Sequence, residues 1–403
     1  MNCHSHSCSD FFEYSYGVKN IFWKEESRYT STKNHTSGVM MQVEITTVNV
    51  SWFNTRDKRS EQIDNETQSV NAIGKTIQNT SEQNGYQFPH FIGIGEITYD
   101  IPDVPNGKCT TEGQNLKKLT DTFPVKDPET CFSLGNIGLN AKRTPSGNYV
   151  MTREDTDKVN KYADLVNYGL FPGQYNTGAA SYLPISQVKT VKNLKWTDFH
   201  PGVNPSQWKD DNGNPIPDDC QLFDKLFMDI TVNVNGIDLH FIVLHAVPAS
   251  GFGNQETPDL QRNKDQLAFL QWYLSGSTYF SVPEGINEDG DPIIPLSERQ
   301  VEYFIAMGDW NADYRDTSCP GSEVLRSLFE TYAWFPSEGI TNRDPSGSFE
   351  GILDYMLCSK KIRCLNYYVS IINEKVSDHA AINATFQLET DAVQEESGWC
   401  SIS

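Results

Sequence analysis

The sequence predicts a mixed α/β (α+β) protein built from two packed β-sheets with helices outside them. Three observations carry this expectation. Apolar runs of strand length recur along the chain, among them VEITTVNV (43–50), HFIGIG (90–95), EYFIAMG (302–308) and AAINATFQL (380–388). Helical periodicity appears in only a few segments. LFMDITVNV, Asn235-Gly236 and IDLHFIVLHA together form a hairpin pattern, because Asn-Gly is the dipeptide that best tolerates a type I′ turn. Many strands with few helices bury their apolar faces best as sheet on sheet.

Taken in order, residues 1–42 are polar and poor in aliphatics, and read as a flexible N-terminal arm. The domain is expected over 43–388, followed by an acidic tail over 389–403. Alternation over 43–50 is that of a half-buried strand. Between Arg59 and Gln83, Ile63, Val70, Ile73 and Ile77 recur at helical spacing, and Gly85 supplies the stop. The short buried strand 90–95 runs into Glu96. Residues 101–222 are rich in Pro, Gly, Asn and Asp; they predict long functional loops, with a helix near 153–167 and a strand near 179–186. A helix over 259–274 sets Leu260, Leu267, Leu270 and Leu274 on one stripe. ILDYMLCS (352–359) and YYVSIIN (367–373) are further strands, and a short helix falls near 322–329. No internal repeat is visible.

The chain has 403 residues, 37% of them hydrophobic and 12% aromatic, which suits a soluble core. Its formal charge of −21 opposes a stable nucleic-acid complex, since no broad basic surface is available to grip phosphates. It opposes less an enzyme that touches a phosphate briefly beside a metal. The nine cysteines are scattered, with no CxxC pair. No apolar run suits a signal or a membrane span, so a cytoplasmic setting with reduced thiols is expected, a Cys109–Cys131 disulfide being the alternative. Sequons at Asn49 and Asn383 fall in strands, where a glycan would disrupt the core.

The placement of the polar residues is the informative pattern. Four apolar strands run straight into residues suited to catalysis: Asn49, Glu96, His245, and Asp309 with Asn311. Two more bracket Asp354 and the Ser377-Asp378-His379 loop. Singly, Glu96 reads as a turn residue, His245 as a satisfied core histidine and Gly308-Asp309 as a turn. Together they suggest a metal-assisted reaction site along one rim. Hard oxygen ligands such as Glu96 and Asp378 suit Mg²⁺, which keeps several waters and also binds substrate phosphate. Asparagine amides meet phosphate oxygens without repulsion. Asp354 with His379 is the pair in which a carboxylate would fix the tautomer of an acid–base histidine.

These residues lie in the strings TVNVSW, GIGEI, LHFIVLHAVP, AMGDWNAD, GILDYML and VSDHAAI. In this order they resemble the endonuclease/exonuclease/phosphatase (DNase I-like) superfamily over about residues 43–388. FPGQYNTGAASYLPIS (171–186) and the Arg262-Asn263 pair look like a bacterial branch. The resemblance implies a four-layer α/β/β/α sandwich and dependence on a divalent metal, Mg²⁺ with Mn²⁺ as the alternative. It implies that Asn49 and Glu96 help to bind metal and phosphate, with Asp378 a further metal or water ligand. Asp309 and Asn311 would position the attacking water and the phosphoryl oxygens. His379, held by Asp354, would be the general base or a phosphate contact. His245 would be the phosphate ligand or the general acid. Arg262 and Asn263 are candidates for substrate contact. Ser181-Tyr182-Leu183-Pro184 lacks the basic residue many relatives carry after the Ser. The inositol-polyphosphate 5-phosphatase signatures are missing, since the chain reads AMGDWNADY and FEGILDYML there.

The chain ends Cys400-Ser401-Ile402-Ser403, a C-a-a-X pattern of the farnesylation type, behind an acidic rather than polybasic segment. Prenylation at Cys400 would add peripheral membrane association in a eukaryotic or host cytosol. Three functions compete. The first is a hydrolase of a lipid or other small phosphoester. The second is a DNase I-like nuclease with a local groove lined by Lys189, Lys192 and Lys195. The third is a silent scaffold of the same fold.

Overall fold

A computed structural model describes residues 41–53, 63–105, 112–249, 257–343, 350–372 and 377–389. In chain order the strands are β1 (Met41–Phe53), β2 (Phe91–Ile97), β3 (Glu129–Phe132), β4 (Asn176–Ser181), β5 (Ile185–Val191), β6 (Phe227–Val234) and β7 (Ile237–Leu244). There follow β8 (Asn287–Glu288), β9 (Asp291–Pro292), β10 (Phe304–Asp309), β11 (Ala333–Phe335), β12 (Asn342–Arg343) and β13 (Glu350–Gly351). The last are β14 (Asp354–Cys358), β15 (Ile362–Ile371) and β16 (Ala380–Leu388). The helices are α1 (Ile63–Gln83), α2 (Gln114–Thr120), α3 (Thr156–Tyr162), α4 (Trp196–Phe199), α5 (Pro258–Ser275) and α6 (Pro320–Thr331).

Two six-stranded sheets form, in the orders β15-β16-β1-β2-β4-β3 and β11-β14-β10-β7-β6-β5. Alternation along each strand divides its side chains between two cores. Val43 and Ile45 of β1 and Phe91 of β2 face Leu239, Phe241 and Val243 of β7 and Ile305 and Met307 of β10. The rings of Phe91 and Phe241 stack across this layer with centroids 3.8 Å apart. Gly93 is needed there, because a Cβ would stand 2.9 Å from Met307 Sδ.

The outer faces take helices. Val48, Val50, Ile92 and Ile94 pack on Ile73 and Ile77 of α1 and Leu116 and Leu119 of α2. Ile242, Leu244 and Ala306 of the other sheet pack on Leu267, Leu270 and Leu274 of α5 and Leu325 and Leu328 of α6. The result is the four-layer α/β/β/α sandwich. Asn235 and Gly236 both take positive φ, 51° and 91°, as a type I′ hairpin turn requires.

The strand expected over 367–373 begins earlier, as β15, the edge strands β3 and β11 were not expected, and the other main differences lie in the loops. The helix expected near 153–167 is only α3, whose Asp155 cap accepts from Lys158 N at 3.1 Å. The strand expected near 179–186 is two strands, β4 and β5, which divide at Leu183-Pro184 and join different sheets. Cys131, Cys220, Cys319, Cys358 and Cys364 are free thiols, whereas Cys109, residues 1–40 and Cys400 lie outside the described residues, and the last two residues of the expected arm, Met41 and Gln42, belong to β1. Asn49 and Asn383 are buried within strands, so neither sequon is open to a glycan. No described helix is long and apolar enough to cross a membrane.

Candidate active site

Strand direction gathers the site. β1 and β2 run parallel with Asn49 opposite Gly95, so Asn49 and Glu96 leave the first sheet side by side. β7 and β10 run parallel in the second sheet, and Ala246 N donates to Asp309 O at 3.0 Å just beyond them. β14 runs the other way and starts at Asp354, paired with Asp309. β16 is antiparallel to β1 and starts one residue after His379. Asn49, Glu96, His245, Asp309, Asp354 and His379, from distant parts of the sequence, therefore reach one edge of the sandwich.

Local backbone serves this convergence. Gly308 has φ 138°, and a Cβ on it would stand 2.0 Å from the carbonyl oxygen of Leu244, so no side chain fits. Glu96 and Asn311 take the left-handed conformation at φ 54° and 53°. Such geometry costs about 1–3 kcal/mol for a residue other than glycine and concentrates at functional sites.

Asn49 bridges the two sheets. Its Nδ2 donates to Glu96 Oε1 at 3.2 Å and to Asp309 Oδ2 at 3.1 Å. Asn311 donates to Asp309 from its backbone at 2.9 Å and from Nδ2 at 3.2 Å. Two imidazoles flank the same carboxylate, with His245 Nε2 at 3.5 Å and His379 Nε2 at 3.7 Å from Asp309 Oδ2. His379 Nδ1 lies 2.8 Å from Asp354 Oδ2, the pair read from the sequence. Ser377 Oγ donates to Asn49 O at 2.8 Å and accepts from His379 N at 3.1 Å, pinning this loop to β1.

The electrostatics separate the two histidines. Burial pulls His379 down, but the carboxylates of Asp354 and Asp309 outweigh it and hold the imidazole well above its usual range. Burial lowers His245, and the Lys225 and His379 charges lower it further. Burial raises Asp309; His379 opposes this, and Asp354 and Glu96 add to the rise. Glu96 is also raised, by burial first, with His379 and Asn49 pulling against it and Asp378 adding to it.

One ligand atom from each of Glu96, Asp309 and His379 lies within 4.8 Å of the others, and among the described residues these three alone form such a group. One buried and one half-buried carboxylate, both short of cationic partners, fit a cation. His245 Nδ1 is buried with no partner, a second sign that the site is polar beyond what the protein itself satisfies. A hard divalent cation would take the two carboxylates and water before a ring nitrogen already engaged elsewhere. Asp378, a metal candidate from the sequence, is half-buried beside His379 and is not one of the three converging groups.

Two residues enter that sequence reasoning missed. Asn342 is buried, and its Nδ2 lies 2.8 Å from His379 Nε2. Thr341 Oγ1 accepts from Leu353 N and Asp354 N at 2.8 and 3.0 Å, fixing the start of β14. Both sit at the head of a two-residue strand, which has no periodicity to betray it.

Arg262 and Asn263 are not at the site surface. Arg262 is 3% exposed and donates to Leu222 O, Val166 O, Gln221 O and Asn167 Oδ1. Asn263 is fully buried and donates to Val247 O and Trp310 O. They satisfy loop carbonyls, and the expectation of substrate contact is corrected to one of loop support. Ser181 lies at the far end of the first sheet, opposite Phe91 rather than near Glu96. The missing basic residue after it therefore has no bearing on this cluster.

No protein-family model matches the chain, and no curated protein matches it. Among solved structures, the endonuclease/exonuclease/phosphatase from Beutenbergia cavernae is similar over 86% of this chain and 72% of that one, with a TM-score of 0.50 and 14% identity. The chain has the endonuclease/exonuclease/phosphatase (DNase I-like) fold. A family protein from Leptotrichia buccalis is 15% identical over 86% of this chain and 100% of that one, at a TM-score of 0.45. One from Bacteroides thetaiotaomicron is 11% identical over 87% and 96%, also at 0.45. In this DNase I-like sandwich the cluster lies where β1, β2, β7 and β10 end.

Proposed function

We propose that the chain is a Mg²⁺-dependent phosphoester hydrolase acting on a phospholipid headgroup or another small phosphoester. The observation that carries this is the Asn49 bridge between Glu96 and Asp309, with His245 and His379 on either side of Asp309. A scaffold would have no use for the buried Asp309 and half-buried Glu96 carboxylates left short of cationic partners. The acidity of the chain disfavours a polyanionic duplex as substrate.

Glu96 and Asp309, oriented by Asn49, would hold the divalent cation. When bound, it would polarise a phosphoryl oxygen and lower the pKa of a coordinated water. His379 keeps its proton at neutral pH and donates to a phosphoryl oxygen, with Asp354 fixing its ring. His245 is neutral, so it takes a proton from the attacking water as the ester P–O bond breaks, and the departing oxygen is protonated from solvent. Asn311, whose Nδ2 already reaches Ala246 O and Asp309, contributes a neutral dipole at the phosphoryl group.

The test is a panel: phosphoinositides, sphingomyelin, nucleotides and plasmid DNA, each with Mg²⁺. Headgroup or phosphate release by wild type, lost in Asp309→Ala and His245→Ala, is expected. Nicking of DNA with no release elsewhere would transfer the reading to a nuclease. Silence on every substrate, with no metal bound, would end it.

A further inference from the structure

We propose that Arg153, framed by Tyr168 and Tyr175, forms a second anion subsite beside Glu96 that recognises an additional phosphate on the substrate. This rests on the hydrolase reading above and narrows it to phosphoesters carrying a second phosphate. Arg153 is exposed, and its guanidinium carbon lies 5.2 Å from the Tyr168 ring centre and 5.5 Å from that of Tyr175. One Nη2–H donates to Tyr175 Oη at 2.7 Å. Tyr175 directly precedes Asn176, which pairs with Ile97, the residue after Glu96. The cation is thus held at the rim where Glu96 emerges, near enough for the two charges to interact.

Its charge balance is unusual for this molecule. Arg143, Arg299, Arg315 and Arg343 each contact a carboxylate. Arg153 makes no ion pair with a described residue, although Glu154 and Asp155 follow it in sequence, and Asp155 pairs with Lys158 instead. In a chain with 53 acidic and 32 basic side chains, an unneutralised guanidinium beside a carboxylate-rich site is complementary to an anion. The two tyrosines constrain the guanidinium plane, so little rotamer freedom is lost on binding. One N–H is used on Tyr175, and the rest of the fork can meet two oxygens of a phosphate side by side. A neutral or cationic headgroup would gain nothing here.

The test compares matched pairs: inositol 1-phosphate with inositol 1,4-bisphosphate, and adenosine 5′-monophosphate with its 3′,5′-bisphosphate. For Arg153→Gln, kcat/KM on the bisphosphates should fall about tenfold or more beyond any fall on the monophosphates, chiefly through KM. Arg153→Lys should recover part of it. The pair that shows the effect tells a headgroup from a nucleotide. Equal losses on both members of each pair, or none, would overturn the subsite. If wild type cleaves none of the four, the hydrolase reading is judged on the wider panel above, and calorimetry decides the subsite. Tighter binding of pyrophosphate than of phosphate in Mg²⁺-free buffer, lost in Arg153→Gln, would uphold it; no preference in wild type would refute it.

Discussion

Two buried carboxylate–imidazole assemblies sit in the same β-sheet and have opposite electrostatics. Asp229, the third residue of β6 and bonded to Tyr273 of α5, accepts from His240 Nδ1 at 2.7 Å, Tyr273 Oη at 2.7 Å and Arg299 Nη2 at 2.8 Å. Burial pushes it up, but those partners prevail and hold it below the usual carboxylate range. Asp309, at the end of β10, has amides as its hydrogen-bond donors, and its two histidines stand back at 3.5 and 3.7 Å. There burial prevails and the carboxyl is raised. Both are equally dry, so depth does not separate structure from function here. The number and closeness of cationic partners do. A carboxylate left short of them is kept reactive toward something that arrives later.

The sharpest way to break this comparison is to delete each acid. Asp309→Ala should lower kcat on the order of 10³-fold or more. Its unfolding free energy in metal-free buffer should hold or rise. Asp229→Ala should do the reverse: it leaves the buried His240 and the half-buried Arg299 without their acceptor, at about 3 kcal/mol, while turnover per folded molecule stays the same. Urea titrations and rates on the same preparations read both. A stable, inactive Asp229→Ala would dissolve the distinction.

Next in size is the His379 pair. His379→Ala and Asp354→Asn should each cost about 10²–10⁴-fold in rate. Their combination should cost little more than either alone, because the carboxylate acts through the ring. Additive losses would mean that Asp354 meets substrate by itself.

Stability against pH separates the two acids by sign. Asp229 has a depressed folded pKa, so its contribution is present above about pH 4, the unfolded value, and lost as pH falls through the folded one. Asp309 is raised, so ionisation costs stability as pH rises from about 4 toward the folded value. Asp309→Asn should therefore gain over wild type between pH 4 and 7 without metal, and Asp229→Asn should lose the acid limb. Mg²⁺ at 100 times its Kd should stabilise wild type by about 2.7 kcal/mol, and Glu96→Gln hardly at all. Curves that stay parallel across this range would remove the contrast.

How much of this was legible in the sequence follows from where each residue sits. Asn49, Glu96, His245, Asp309 and His379 were readable because apolar strands lead to or from them, and a polar residue at such a boundary stands out. The two sheets were readable for the same reason, and Asn235-Gly236 announced its turn. Arg262 and Asn263 misled because a resemblance of strings singled out the pair, and a string does not tell which face of the polar-rich helix they take. The carbonyls they satisfy, at Val166, Gln221, Leu222, Val247 and Trp310, come from loops whose approach no periodicity encodes. The same holds for Arg153, whose meaning depends on tyrosines 15 and 22 residues further along meeting it across a loop.

Asn342 should give the smallest effect and the most specific one. Its amide meets His379 Nε2, the ring nitrogen that faces Asp309. A protonated Nε2 needs an acceptor there and a neutral one needs a donor. An asparagine can serve either state by turning its amide, which neither aspartate nor leucine can do. Asn342→Leu should therefore lower kcat by about tenfold, the scale of one hydrogen bond to a charged group, with KM little changed. Asn342→Asp should favour the imidazolium and shift the alkaline limb of the rate profile upward. If both variants keep the wild-type profile and only melt earlier, the amide supports the loop and the acid–base contrast at Asp309 involves the two histidines alone.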